Sequence, residues 1–161
     1  MIVRVRADLQ ADVAANGVSI VIPVPSTTST AHISLDGSGS APAHAGSSSG
    51  EVTVEAGAGG AGEQLQKATL DTLNGRIMWN VKRFMGLKEH VLRARITLSE
   101  PRTKATQLEI SPISMDFEIP MYNCSNIHIT YLRIVERSEG YDPYKWIRYI
   151  SQARSYAAHT Y

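Results

Sequence analysis

Trp146 and Arg148 stand two residues apart in Tyr144-Lys145-Trp146-Ile147-Arg148-Tyr149-Ile150, the stretch of this chain with the most distinctive side-chain chemistry. In an extended backbone, residues i and i+2 turn to the same side, so an indole wall and a guanidinium fork are expected to share a face. Such a pair suits recognition: it grips something flat, polar and extended. Groups suited to bond-making are harder to find. His32, His44, His90, His128 and His159 fall in no H-E-x-x-H or comparable metal spacing, and each reads as a surface or strand histidine. No G-x-S-x-G elbow occurs, and the glycine-rich tract lacks the G-K-[ST] ending of a phosphate loop. Asp116 and Glu118 have the spacing of paired acid–base carboxylates, yet they alternate with Met115, Phe117 and Ile119 and read as a solvated strand face. Cys124 is the one cysteine; it closes no intrachain disulfide and has no second thiol or nearby histidine for a metal. With no neighbouring base in the sequence to activate it as a nucleophile, it reads as a small core or strand-end residue, and a cytosolic compartment fits. The expectation is no enzyme, no metal and no cofactor.

A chain of 161 residues is large enough to bury one real core and too small for two comfortable domains, so residues 1–161 are expected to form one. Apolar residues make up 43% of the chain, and no run approaches the roughly 18 apolar residues of a membrane span. The opening Met-Ile-Val-Arg-Val-Arg lacks the apolar core of a secretory signal. Net charge is +1; residues 36–62 carry three acids and no Lys or Arg, which leaves the remainder at +4. That bias is too mild for a nucleic-acid binder and is compatible with weak attraction to an anionic membrane surface.

The elements that must position Trp146 and Arg148 read as strands. Val3, Val5 and Ala7 alternate with charged residues, and 18–25 is a β-branched run closed by prolines. Residues 67–72, 76–81 and 91–98 read as further strands, with Asn74-Gly75 signalling a hairpin between the first two. Ile77, Val81, Phe84, Met85 and Leu92 also fit a helical stripe, but Gly86 and its strand-like flanks favour a hairpin there. Near the C-terminus, 112–123, 127–134 and 142–152 supply three more strand-like segments, after a polar loop over 99–111. Residues 36–62 hold eight of the twelve glycines. They bury too little apolar surface to offset an ordering cost of about 1–2 kcal/mol per residue, and read as a disordered insertion. Within it, Glu51-Val52-Thr53-Val54-Glu55 alternates as a short hairpin arm would. The sum is an all-β, antiparallel β-sandwich.

Five stretches then carry a resemblance. Asn16-Gly17-Val18-Ser19-Ile20-Val21-Ile22-Pro23-Val24-Pro25, Gly75-Arg76-Ile77-Met78-Trp79-Asn80-Val81-Lys82, Glu89-His90-Val91-Leu92-Arg93-Ala94, Phe117-Glu118-Ile119-Pro120-Met121-Tyr122 and Lys145-Trp146-Ile147-Arg148-Tyr149-Ile150 occur in the order of the mu homology domain. This is the C-terminal cargo-binding half of the medium subunits of heterotetrameric adaptor complexes. Ser114-Met115, Met121-Tyr122-Asn123 and Asp142-Pro143-Tyr144-Lys145-Trp146 look most like the adaptor complex 4 kind. The resemblance implies binding of Tyr-x-x-hydrophobic sorting signals in cytosolic tails of membrane proteins, beside other subunits of a heterotetramer. It also implies peripheral membrane contact on the cytosolic face of trans-Golgi or endosomal membranes and their coated vesicles. By motif position, Trp146 and Arg148 flank the signal's tyrosine, and Lys145, Ile147, Ile129 and Leu132 surround the hydrophobic pocket. The tail is expected to add as a strand beside 144–151. Strict alternation puts Ile129 and Leu132 on opposite faces, so a bulge or twist is expected between them.

Against the family's pattern, Met1 falls inside the domain, so the chain reads as an incomplete, N-terminally truncated mu homology domain. The absent strands carry the Phe and Asp that complete the tyrosine pocket, together with a second site for longer acidic aromatic signals. Two lost pocket walls cost about 2–4 kcal/mol by analogy with other hot spots, which takes a micromolar signal to roughly 30 micromolar or weaker. Unpaired edges would then favour self-association. A competing reading is a coat-assembly β-sandwich, like those of coatomer delta or muniscin-type proteins, that reads no tyrosine signal.

Overall fold

The computed structural model describes residues 1–36, 51–56, 66–101, 112–135 and 144–159. Their strands are β1 (Ile2–Arg6), β2 (Ala14–Pro23), β3 (Thr28–Leu35), β4 (Glu51–Ala56), β5 (Gln66–Asp71), β6 (Arg76–Met85), β7 (Glu89–Leu98), β8 (Ile113–Pro120) and β9 (Ile150–Ala158). They form two antiparallel sheets, ordered β1-β7-β3 and β4-β5-β6-β2-β8-β9, in a sandwich-like arrangement. No described residue is helical, so the all-β expectation holds and the helical stripe over residues 77–92 does not form.

The core is a product of alternation. β2 buries Val18, Ile20 and Ile22, β6 buries Val81, Trp79 and Ile77, and the register sets these opposite one another pair by pair. Ala31, Ile33 and Leu35 of β3, with Leu92 and Ala94 of β7, close over them from the smaller sheet. Each large apolar side chain buried this way contributes about 1.5–3 kcal/mol. The period-2 pattern of Ala31, Ile33 and Leu35 was available in the sequence, although residues 28–35 were not among the expected strands.

Three connections differ from expectation. The β5–β6 hairpin forms, but its loop is four residues, 72–75, rather than a two-residue Asn-Gly turn. Gly75 takes the left-handed conformation at φ 57°, and Asp71 accepts hydrogen bonds from the backbone and side chain of Asn74 and an ion pair from Arg76. The Asn74 bonds, ahead of Arg76, hold the Asp71 carboxyl below its ordinary pKa. Residues 86–88 make a corner instead of a hairpin, because β6 and β7 belong to different sheets. That corner is pinned to the β1–β2 connection: Gly86 N–H donates to the Val13 carbonyl, Leu87 N–H to that of Ala7, and Ala7 N–H to that of Lys88. Finally, residues 51–56 of the glycine-rich tract form β4, paired with β5 in a continuous register from Glu51 opposite Asp71 to Ala56 opposite Gln66. A ladder partner supplies the ordering free energy that composition alone withholds. The rest of the tract from residue 37 on, and residues 102–111 of the polar loop, lie outside the described residues.

Two bulges shape the end of the large sheet. Between Asn16 opposite Glu118 and Ser19 opposite Asp116, β2 has one residue too many, and Gly17 at φ 57° absorbs it. In β9 the extra residue falls at Arg154 and Ser155, opposite Asp116. Asp116 is exposed and Glu118 half-buried on the β8 face away from buried Ile119. The three-stranded sheet cannot cover all six strands of its partner. Met115 and Phe117 of β8 are only half-buried, lining with Val5, Leu9 and Phe84 an apolar cleft of about 170 Å³. β9 lies beyond this cleft at the sheet's margin, with Ser151 its one fully buried residue.

Candidate functional site

The chain leaves β8 through a turn built by polar side chains. Met121 and Asn126 adopt left-handed backbone at φ 57° and 55°. The Asn123 amide donates to the Ile127 carbonyl at 2.7 Å, and Ser125 Oγ donates to Asn123 Oδ1 at 2.9 Å. Ser151 clamps the turn to β9: its Oγ donates to the Tyr122 carbonyl at 2.8 Å and accepts from Cys124 N–H at 3.2 Å. Cys124 itself is exposed in this turn, not in the core.

From the turn, residues 127–135 lead away from β8, residues 144–149 lead into β9, and the two segments meet at Tyr149. Both were expected to be strands, and neither is one. A strand needs a ladder partner, and no described residue pairs with either segment. Regular structure begins only at Ile150, where β8 becomes available as a partner. One side-chain bond ties the two segments together, the Ile129 N–H donating to Tyr149 Oη at 3.0 Å. The His128 and Tyr149 rings also meet edge to face, with centroids 6.0 Å apart and planes at 80°.

The exposure pattern over 146–151 alternates even without a ladder. Trp146, Arg148 and Ile150 are exposed, while Ile147 and Tyr149 are half-buried and Ser151 is buried. The indole is 66% exposed, so a large aromatic surface stands in water. Lys145 is exposed, and Ile129 and Leu132 are 51% and 42% exposed on the neighbouring segment. Because that segment is irregular, strict alternation does not govern where Ile129 and Leu132 point. Arg148 has no ion pair among the described residues; Glu136, a partner considered for it, lies outside them.

A buried polar cluster that sequence reasoning missed lies between the sheets. Trp79 Nε1–H donates to Gln66 Oε1 at 3.3 Å, and Gln66 Nε2 donates to His90 Nδ1 at 2.9 Å and to the Asp36 carbonyl at 3.4 Å. Gln66, Trp79 and His90 are all buried. Burial pushes the His90 pKa down, with Asp36 opposing and Lys88 adding to the fall. The available signal was Gln66 first in its strand and His90 second in its own, each on the parity of the buried apolar residues that follow. The cluster is enclosed between the sheets and serves the fold; among the described residues no group of His, Cys, Asp or Glu is arranged to hold a metal.

A two-sheet antiparallel β-sandwich with an exposed aromatic and cationic margin describes a class of fold, and the sequence comparisons name the family. The chain belongs to the adaptor complexes medium subunit family, whose model matches residues 1–160. That family is non-enzymatic. The chain is 35% identical over 158 residues to the AP-4 complex subunit mu of Arabidopsis thaliana, an alignment covering 98% of this chain and 30% of that relative. It is 41% identical over 81 residues to the AP-1 complex subunit mu-1 of Arabidopsis thaliana, and 38% identical over 85 residues to the AP-1 complex subunit mu-2 of Homo sapiens. Those two alignments cover 50% and 52% of this chain and 19% of each relative. The chain thus spans less than a third of the length of these curated relatives.

Proposed function

We propose that this chain is a cargo-recognition part of an adaptor complex medium subunit, binding tyrosine-based sorting signals in cytosolic tails during vesicle-mediated transport. In this reading it acts beside the other subunits of an adaptor heterotetramer, as a peripheral component at trans-Golgi or endosomal membranes. The observation that carries it is the exposed pair Trp146 and Arg148, set on one side of a segment that has no ladder partner among the described residues and feeds directly into edge strand β9. An extended tail docks there by adding main-chain hydrogen bonds to an open edge. The regular part of β9 runs from Ile150 to Ala153, before the bulge at Arg154 and Ser155 breaks the edge, so a short linear signal matches the length on offer. The indole packs on the signal's tyrosine ring, the guanidinium stacks on it and reaches its hydroxyl, and Ile129, Leu132 and Ile147 receive the hydrophobic residue three positions on.

Fluorescence anisotropy with a labelled Tyr-x-x-Leu peptide and its Ala-x-x-Leu control tests this. The tyrosine peptide is expected to bind more tightly than its control, and Trp146→Ala or Arg148→Ala to weaken it by about tenfold or more. Equal binding of both peptides, unaffected by either substitution, refutes the reading and favours a coat-assembly module.

A further inference from the structure

We propose that Tyr149 is a positioning residue that holds residues 127–132 against 144–149 and thereby sets the preference for the hydrophobic residue of the signal; this deepens, and rests on, the tyrosine-signal reading. Tyr149 is half-buried between exposed Arg148 and exposed Ile150, so its ring turns away from the side that presents Trp146 and Arg148. It lies on the side of Ile147, away from the face offered to the signal's tyrosine. Its hydroxyl instead accepts the Ile129 N–H at 3.0 Å, and its ring braces that of His128. No ladder joins the two segments among the described residues, so a phenol does the work of the missing strand pairing. Ser151, two residues on and on the same side, fastens the start of the same excursion at Tyr122 and Cys124. Ser151 and Tyr149 are thus two fasteners of the same parity, the first at the root of the turn and the second at the residue that carries a pocket wall. Ile129 sits at the fastened position and Leu132 three residues beyond it. Freeing this segment moves the hydrophobic pocket and leaves the tyrosine grip untouched.

The test compares the full chain with its Tyr149→Phe variant, which keeps the ring and removes the hydroxyl. Amide exchange at Ile129, followed by NMR without any peptide, is expected to accelerate by roughly two- to tenfold, the worth of one net hydrogen bond. Unchanged exchange overturns the proposal. In the second arm, anisotropy measures Tyr-x-x-Leu, Tyr-x-x-Ala and Ala-x-x-Leu peptides. Tyr149→Phe is expected to narrow the preference for Leu over Ala at the last position while preserving the preference for Tyr over Ala at the first. Loss of both preferences in equal measure indicates a general loss of structure and also overturns it. If the wild-type chain shows no tyrosine preference, the functional reading and the specificity role fall together, and faster Ile129 exchange then shows that this failure lies in the reading and not in the clasp.

Discussion

Gln66→Leu removes the hub of the buried cluster at nearly constant volume, and its cost can be worked from the bonds it breaks. The indole N–H of Trp79 is a donor only, so it fixes the Gln66 amide with its oxygen toward Trp79 and its nitrogen toward His90. His90 Nδ1 must then present a lone pair, which makes the imidazole neutral with its proton on Nε2. A leucine leaves the Trp79 N–H and His90 Nδ1 buried without partners, each costing about 1–3 kcal/mol, against a modest gain from burying a more apolar side chain. The expected loss is about 2–5 kcal/mol, a fall in Tm of roughly 5–15 °C for a chain of this size. Urea denaturation at pH 8 measures it. In a Trp79→Phe background, where no indole N–H remains to be orphaned, Gln66→Leu should cost about 1–3 kcal/mol less. A loss under about 0.5 kcal/mol, or strict additivity with Trp79→Phe, refutes the reasoning.

The same cluster fixes a pH dependence. Burial holds the His90 pKa below its unfolded value of about 6.5. A depressed histidine contributes stability that is fully present above pH 6.5 and lost as pH falls from there toward the folded pKa, because only the unfolded chain takes the proton. Gln66→Glu reverses the sign. A carboxylate accepts from the indole and from a protonated Nδ1 alike, so the His90 pKa rises and stability is retained in acid and lost as pH climbs through the new value. Stability curves between pH 5 and 8 that are parallel in the two proteins would refute the tautomer assignment.

Gly86→Ala should destabilise by at least about 2 kcal/mol, since its Cβ would stand 1.9 Å from the Gln10 carbonyl oxygen and 2.8 Å from that of Leu9. Gly→Ala at a tolerant site stabilises instead, so the sign read from urea melts is the test. Ser151→Ala strips the turn after β8 of its bonds to Tyr122 and Cys124 and should cost about 1–3 kcal/mol by the same assay. Trp146→Ala and Arg148→Ala, by contrast, change exposed side chains and should leave stability within about 0.5 kcal/mol while lowering peptide affinity. An equal loss of stability would recast both as structural residues.

The strands legible in the sequence were those whose partners share their pattern. β2 over 18–22 and β6 over 77–81 each bury every second residue, and each buried position lies opposite another, so local alternation and tertiary pairing say the same thing. β4 was discounted because composition speaks for a segment in isolation, whereas its order comes from β5. The corner at Gly86 was misread as a hairpin for a related reason. Turn chemistry specifies a reversal, but which sheet receives the next strand depends on the Gly86 and Leu87 amides reaching Val13 and Ala7, more than seventy residues away.

The margin around Trp146 was legible in residue type and not in conformation. Its sequence has strand periodicity, and the exposure of 146–151 keeps that periodicity, yet hydrogen-bonded pairing begins only at Ile150. Periodicity records which side each side chain takes; a ladder requires a second chain segment in register. An edge that receives a peptide has to combine the first with an absence of the second, since a backbone already paired has no donors or acceptors left to offer. Alternating in exposure and unpaired among the described residues is therefore the state expected of a docking edge without its ligand. On this argument, a bound tail peptide should extend protection from amide exchange upstream from Ile150 into 146–149, and binding that left those amides exchanging at the free rate would mean that the peptide docks elsewhere.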